Sequence, residues 1–238
     1  MHALEDRMWW YRGLRALTRY LLDTSLKRAG VHGQLLDAGC GTGGMLLQLG
    51  SEVCGCVTLG IEYDFNAALL ASEKSRQSVV AGSVHQLPLL DCTLAGYISL
   101  DVLCHDNVDP SQAIVEARRC LVSGGIAVIN LPAYNWLLSA HDRRVHNARR
   151  FTRGQLHELL ARFGFVPMRT TYWNTLLFPI MLFHRLLESK GAASDVRDFL
   201  PLINRLLSWV LAIERTVLRL GFNLPFGGSL MVVARCEK

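Results

Sequence analysis

No apolar run in this 238-residue sequence is long enough to cross a bilayer, and the N-terminus opens on His2, Glu5, Asp6 and Arg7 where a secretory leader would carry an apolar core. The expected location is the cytoplasm. No C-x-x-C pair frames a zinc site, and the seven cysteines (Cys40, Cys54, Cys56, Cys92, Cys104, Cys120 and Cys236) are odd in number and lie mostly inside apolar runs. They read as buried thiols in a reducing compartment, with no metal. Internal repeats and low-complexity linkers are missing too. Charge is sparse, at 19% of residues with a net charge of +5. It is concentrated only in a knot of arginines, Arg143, Arg144, Arg149, Arg150 and Arg153, which no array of stacking aromatics accompanies. Nucleic acid is therefore not an expected partner.

What is present is core material. Half of the residues are hydrophobic, enough for one α/β domain with a sizeable interior. Helical spacing of Leu14, Leu17, Leu21 and Leu22 predicts a helix over Arg12 to Ala29, led by Trp9, Trp10 and Tyr11 and stopped by Gly30. Strand and helix signals then alternate. Strands are expected at Gln34 to Ala38, Val57 to Glu62, Val79 and Val80, Gly96 to Leu100, and Ile126 to Asn130 after a Gly124-Gly125 turn. Helices are expected at Gly44 to Leu49, Phe65 to Ser75 and Pro110 to Cys120. Helical crossovers return the chain to the same end of a sheet, so the pairing should be parallel and the sheet doubly wound, with ligands beyond the carboxyl ends of the strands.

Asp37-Ala38-Gly39-Cys40-Gly41-Thr42-Gly43-Gly44 sits where a buried strand turns into a helix, and glycines there let backbone amides approach a ligand. Gly39, Gly41 and Gly44 also satisfy the dinucleotide pattern, with Glu62 at the spacing of a ribose-binding acid. Asp37 separates the two readings. A carboxylate entering the loop repels a pyrophosphate, whereas S-adenosylmethionine has no phosphate and carries an ammonium and a sulfonium.

LLDAGCGTGG resembles the first motif of the class I S-adenosylmethionine-dependent methyltransferases, and Gly60-Ile61-Glu62 resembles their second-strand acid. The likeness continues through GSVHQLPL, SLDVLCH and RCLVSGG, and so spans roughly residues 30 to 135. It implies a mostly parallel seven-stranded sheet with S-adenosylmethionine on Asp37, Gly39, Cys40, Gly41 and Gly43. Glu62 would hold the ribose, Tyr63 lie against the adenine, Ser83 and Val84 border its edge, and Asp101 with Val102 close the methionine side. Ser83 stands where the family usually has aspartate. MWWYRGLR resembles the cap of one branch of the family, in which Trp10 and Arg12 would cover the cofactor.

Methyl transfer is an in-line displacement that needs alignment and exclusion of water, with a base only where the nucleophile carries a proton. His141, with Asp142 beside it, and His146 are the candidates for that base, the alternative being that the histidines cap a helix. Tyr134, Arg149, Arg150 and Trp173 are the candidate acceptor contacts, the arginines suiting a phosphate or carboxylate. Thr152 is placed to cap the next helix. Val166 to Trp173 and Ser229 to Arg235 read as the last two strands.

The organisation expected is a helical cap over residues 1–30, a cofactor-binding core over 31–173, a lipophilic helical insertion over 174–225 and a final strand over 226–238. In the insertion, Ile203, Leu206, Leu207, Val210, Ile213, Val217 and Leu218 form one helical face, and Arg205, Arg215 and Arg219 the other, with Trp209 at the border. That pattern suits a lipid interface or a greasy acceptor, or packing onto the sheet or a second copy in a homodimer. The function expected is methyl transfer to a small hydrophobic or amphipathic acceptor, on oxygen, carbon or nitrogen. A catalytically silent partner subunit and, further off, a nicotinamide-dependent oxidoreductase are the rivals.

Overall fold

The structure is a computed structural model that describes residues 6–50, 56–187 and 201–238. Seven strands form one sheet: β1 (Gln34–Ala38), β2 (Thr58–Glu62), β3 (Ser78–Ala81), β4 (Leu94–Leu100), β5 (Leu121–Pro132), β6 (Phe165–Trp173) and β7 (Ser229–Cys236). Their order across the sheet is β3-β2-β1-β4-β5-β7-β6. β3 through β5 pair in parallel, and β7 enters antiparallel between β5 and β6. The chain reverses its order of laying strands between β1 and β4, the point at which such sheets open a ligand crevice.

Side chains alternate across each strand, and helices cover both faces. Leu36, Tyr97, Ile129 and Val232 face α4 (Pro110–Cys120) and α6 (Arg153–Arg162) through Ile114, Ala117, Leu156 and Leu160. Leu35, Ile98, Val128 and Val233 face α1 (Trp9–Ala29) through Leu14, Leu17, Leu21 and Leu22. Leu22 is fully buried, so truncating it to alanine should cost about 3 kcal/mol in lost transfer energy and cavity.

Helix starts follow local chemistry. The Asp64 carboxylate accepts the Ala67 N–H at 2.8 Å at the head of α3 (Phe65–Ser75). Asp109 does the same for Ser111 ahead of Pro110. Thr152 and Gln155 form a reciprocal capping box, as the Thr152 expectation required.

Two local expectations are corrected. α1 begins at Trp9, so its aromatic cluster lies inside the helix. Gly124-Gly125 is no turn before a strand: β5 begins at Leu121, directly after α4, and bulges. Leu94 pairs with Leu121 and Gly96 with Ile126, so β5 carries extra residues between them, and the positive φ of Gly124 (79°) accommodates the detour.

The insertion supplies α7 (Phe178–Leu187) and α8 (Pro201–Arg219) between β6 and β7. α8 is rotated from the orientation its apolar face suggests. Leu211, Glu214 and Leu218 turn inward, while Leu206 and Ile213 face out. Polar anchors set that rotation. The buried Glu214 carboxylate accepts the Leu176 N–H at 2.7 Å, and Asn204 Oδ1 accepts the Trp9 N–H at 2.8 Å. Cys40, Cys104, Cys120 and Cys236 are buried free thiols, Cys56 is half-buried and Cys92 exposed; Cys54 lies outside the described residues.

Candidate active site

The carboxyl ends of β1, β2, β4 and β5 carry the chemistry-bearing residues. Past Asp37, which is buried, the chain turns through Gly39, Gly41 and Gly43, all at positive φ. A Cβ on Gly39 would run into the Val102 side chain, and one on Gly43 would lie 2.8 Å from the Ala71 Cα, so these two glycines press the loop against its surroundings. Gly41 meets nothing within 4 Å, leaving open space above it. α2 (Gly44–Leu49) starts immediately afterwards, and its first amides face the same opening.

Glu62, at the tip of β2, ties the loop together. One carboxylate oxygen accepts the Gly41 N–H at 2.8 Å and the other accepts the Asp64 N–H at 3.1 Å. Each oxygen retains a second lone-pair direction for a ligand hydroxyl. Tyr63, next along, is 74% exposed and presents a bare ring. The third tip carries Ser83 and the buried Val84. The Ser83 hydroxyl accepts the His85 N–H at 3.2 Å, and His85 Nε2 accepts the Asp109 N–H at 2.8 Å, which holds this loop on the start of α4.

Asp101 stands one residue past β4, with left-handed backbone (φ 58°). Its Oδ1 accepts from Asn130 Nδ2 at 3.0 Å, Asn130 Oδ1 accepts the Trp173 indole N–H at 2.7 Å, and the Trp173 ring stacks on Trp10 at 5.6 Å. Burial pushes the Asp101 carboxyl up to about 7, against the Asn130 hydrogen bond and the positive charge of Arg150. Trp10 and Trp173 are thus one packed pair, and the Arg12 side chain is exposed. Asn130 was legible only as an amide ending an apolar strand, with no role of its own.

Beyond β5 the chain is held by one buried ion pair. Arg150 Nε and Nη2 donate to Asp142 Oδ1 at 3.1 and 2.7 Å, Arg150 Nη1 donates to the Ala133 carbonyl, and Asp142 Oδ2 accepts from the Ser139 N–H and hydroxyl. Asp142 is 1% exposed and Arg150 4%. Both of the side chains expected at the chemistry therefore bind each other and fix the loop. Arg149 Nη1 donates to the Val108 carbonyl at 2.7 Å. The His146 side chain is 75% exposed, with Nδ1 3.8 Å from Asp106 Oδ2. His141 belongs to the short α5 (Ala140–Arg144), and its side chain lies outside the described residues.

Tyr134 instead anchors an aromatic cluster. Its ring stacks on Tyr172 at 5.1 Å with 9° between planes, and contacts Trp136 and Phe178; Phe178 in turn meets Phe226. Like Asp101, Tyr134 has positive φ (61°) at a strand tip, a backbone state that costs energy and collects at ligand sites. Burial, then the Tyr172 hydroxyl, push the Tyr134 phenol up to about 12. It stays protonated and can only donate or accept a hydrogen bond near neutral pH. Tyr172, Phe178, Trp136 and Phe226 carried no signal in the sequence, because they come from four separate segments.

Among Asp37 to Gly44, Glu62, Tyr63, Ser83, Val84, Asp101 and Val102 there are three acids and no basic side chain. That donor set, with the open space over Gly41, fits a cationic nucleoside such as S-adenosylmethionine and disfavours a pyrophosphate. Residues 36–129 match the family model described as a methyltransferase domain. Over that stretch the chain is similar to methyltransferase domains.

A relative in Encephalitozoon cuniculi (strain GB-M1), named as a methyltransferase, is 32% identical over 133 residues, 54% of this chain and 55% of its own length. The chain thus spans about half of the curated relative it matches. Among solved structures it is similar to a sarcosine dimethylglycine methyltransferase from Galdieria sulphuraria (TM-score 0.62, 18% identity, 92% of this chain, 85% of that one). It is also similar to a geranyl diphosphate C-methyltransferase from Streptomyces coelicolor A3(2) (TM-score 0.63, 14% identity, 94% and 80%). A third similar structure is a cyclase, SpnF (TM-score 0.59, 20% identity, 92% and 81%). At these identities the likeness shows the fold, and the fold hosts more than one chemistry.

Proposed function

We propose that this protein is a class I S-adenosylmethionine-dependent methyltransferase that transfers a methyl group to a small hydrophobic or amphipathic acceptor seated on the Tyr134 aromatic cluster. The observation that carries the reading is the Tyr134–Tyr172 stack, extended by Trp136 and Phe178, at the same carboxyl end of the sheet as the glycine loop, Glu62 and Asp101. When bound, the cofactor supplies an electrophilic methyl on a sulfonium. The protein's part is to place the nucleophile in line and to keep water away.

Glu62 holds the ribose hydroxyls on its free lone pairs while keeping the loop closed through Gly41. Asp101, ionised, faces the methionine ammonium, and its Asn130 bond fixes its direction. The aromatic rings offer flat apolar contact and two phenolic groups for orientation. His141 is the remaining candidate for a side-chain base, needed only if the acceptor atom carries a proton. Asp142, His146 and the arginine knot play no chemical part in this reading.

Calorimetric titration with S-adenosylhomocysteine, followed by mass-spectrometric search of an acceptor panel for a methyl mass increment, tests the proposal. Tight NADH binding without S-adenosylhomocysteine binding would overturn the cofactor. An acceptor KM indifferent to Tyr134→Ala would overturn the seat.

A further inference from the structure

The outward side of α8 is apolar where a packed surface helix is polar. At 100° per residue Leu202, Leu206, Trp209 and Ile213 fall within about 60° of arc, and they are 79%, 64%, 67% and 55% exposed. Leu220, just past the helix, continues the line, and Ile180 and Phe183 add exposed apolar surface on α7 of the same insertion. The inward side is already taken by Leu211, Glu214 and Leu218, which close on Gly13, Leu17 and Trp173. Among the described residues, α8 therefore has two apolar sides and a partner for one.

Charge indicates what covers the other. Arg205 and Arg219 are exposed beside the apolar arc, whereas Arg215 is half-buried on the inward side with Leu211 and Glu214, where burial, then Arg219 and Arg12, disfavour its charge. The only acid on the helix, Glu214, is buried on the far side. The exposed half of α8 thus presents apolar side chains and cations with no anion among them. A second copy meeting this face through a two-fold axis would set the exposed arginines near their own copies, with no carboxylate of the helix to answer them. An anionic lipid surface answers both features: acyl chains take Leu202, Leu206 and Ile213, phosphates take the guanidinium groups, and an indole at Trp209 suits the headgroup level.

We infer that α8 docks this protein on the surface of a membrane containing anionic phospholipid, lying in the interface. No described helix is long and apolar enough to cross a membrane, which is consistent with a surface mode.

Co-sedimentation of the full chain with phosphatidylcholine vesicles, with and without a minority of phosphatidylglycerol, tests this, alongside sedimentation velocity without lipid. The expected result is binding to the anionic vesicles. It should fall about tenfold or more in Leu206→Glu/Trp209→Glu, and Arg205→Gln/Arg219→Gln should lose the preference for anionic lipid, at about fivefold per arginine. Melting temperature and S-adenosylhomocysteine affinity serve as controls for the fold and for the methyltransferase reading, and both should be unchanged because the apolar positions are exposed. Absence of vesicle binding, or equal binding by Leu206→Glu/Trp209→Glu, overturns the inference. A lipid-free dimer dissolved by that variant overturns it in favour of self-association.

Discussion

The proposed cofactor edge and the proposed acceptor edge of this site are built by different means. At the cofactor edge, backbone geometry makes the site. Three glycines within five residues shape the bend, and Glu62 closes it by accepting two backbone N–H groups. At the acceptor edge, contacts between side chains do the work. Arg150 reaches Asp142, and Tyr134 gathers Tyr172 and Phe178. Backbone geometry tolerates almost no alternative sequence, whereas a ring stack can be assembled from many. One edge should therefore be rigid in its chemistry and the other open to drift.

The largest break of this contrast comes from the ion pair. Asp142→Ala leaves the Arg150 guanidinium buried without its carboxylate and should cost about 3 kcal/mol of stability, read by denaturant unfolding. Affinity of the surviving folded protein for S-adenosylhomocysteine should stay near the parent value, because that site rests on other elements. An equal loss at both edges would dissolve the distinction.

Glu62→Ala is the reciprocal experiment. It removes the anchors of Gly41 and Asp64 together with the proposed ribose contact, and cofactor affinity should drop by about a hundredfold by calorimetry, on the basis of two lost charge-assisted bonds. The Tyr134 cluster should persist, visible as unchanged near-ultraviolet circular dichroism.

A smaller effect sharpens the electrostatics. Asp101 is raised to about 7 in the folded protein, so below that pH cofactor binding must expel a proton. Affinity should weaken by up to about tenfold per pH unit below 7, with proton release on binding, and Asp101→Asn should flatten the profile. For the cofactor-free protein the sign is the opposite. The raised carboxyl favours the folded state while protonated, so its contribution is full below about pH 4 and is lost as pH rises towards 7. The smallest effect is expected for His146→Ala. That side chain sits mostly in water, and kcat should change by less than about twofold.

What the sequence disclosed follows the same division. β1, α2, α3 and α4 were legible to the residue because glycines and apolar period act within a few positions, and the start of α6 because Thr152 caps it. Asp37, Glu62 and Asp101 were legible because a motif fixes their spacing. Asp142 and Arg150 looked like site chemistry, since eight residues of spacing do not say whether two opposite charges will find each other or a substrate. The rotation of α8 was not legible because Glu214 decides it through the Leu176 amide, a contact across 38 residues that the apolar period does not encode. The aromatic seat stayed hidden because its rings come from the end of β5, the end of β6, the head of α7 and the turn into β7.

The Trp10–Trp173–Asn130–Asp101 series has a practical corollary. An indole whose N–H is one amide away from a carboxyl titrating near neutrality should register that carboxyl's proton in its light. Emission from Trp173, isolated by replacing the other four tryptophans with phenylalanine, should shift in colour around pH 7 and again when an ammonium-bearing ligand fixes Asp101 as the anion. The protein thereby carries its own optical gauge of the group that faces its cofactor.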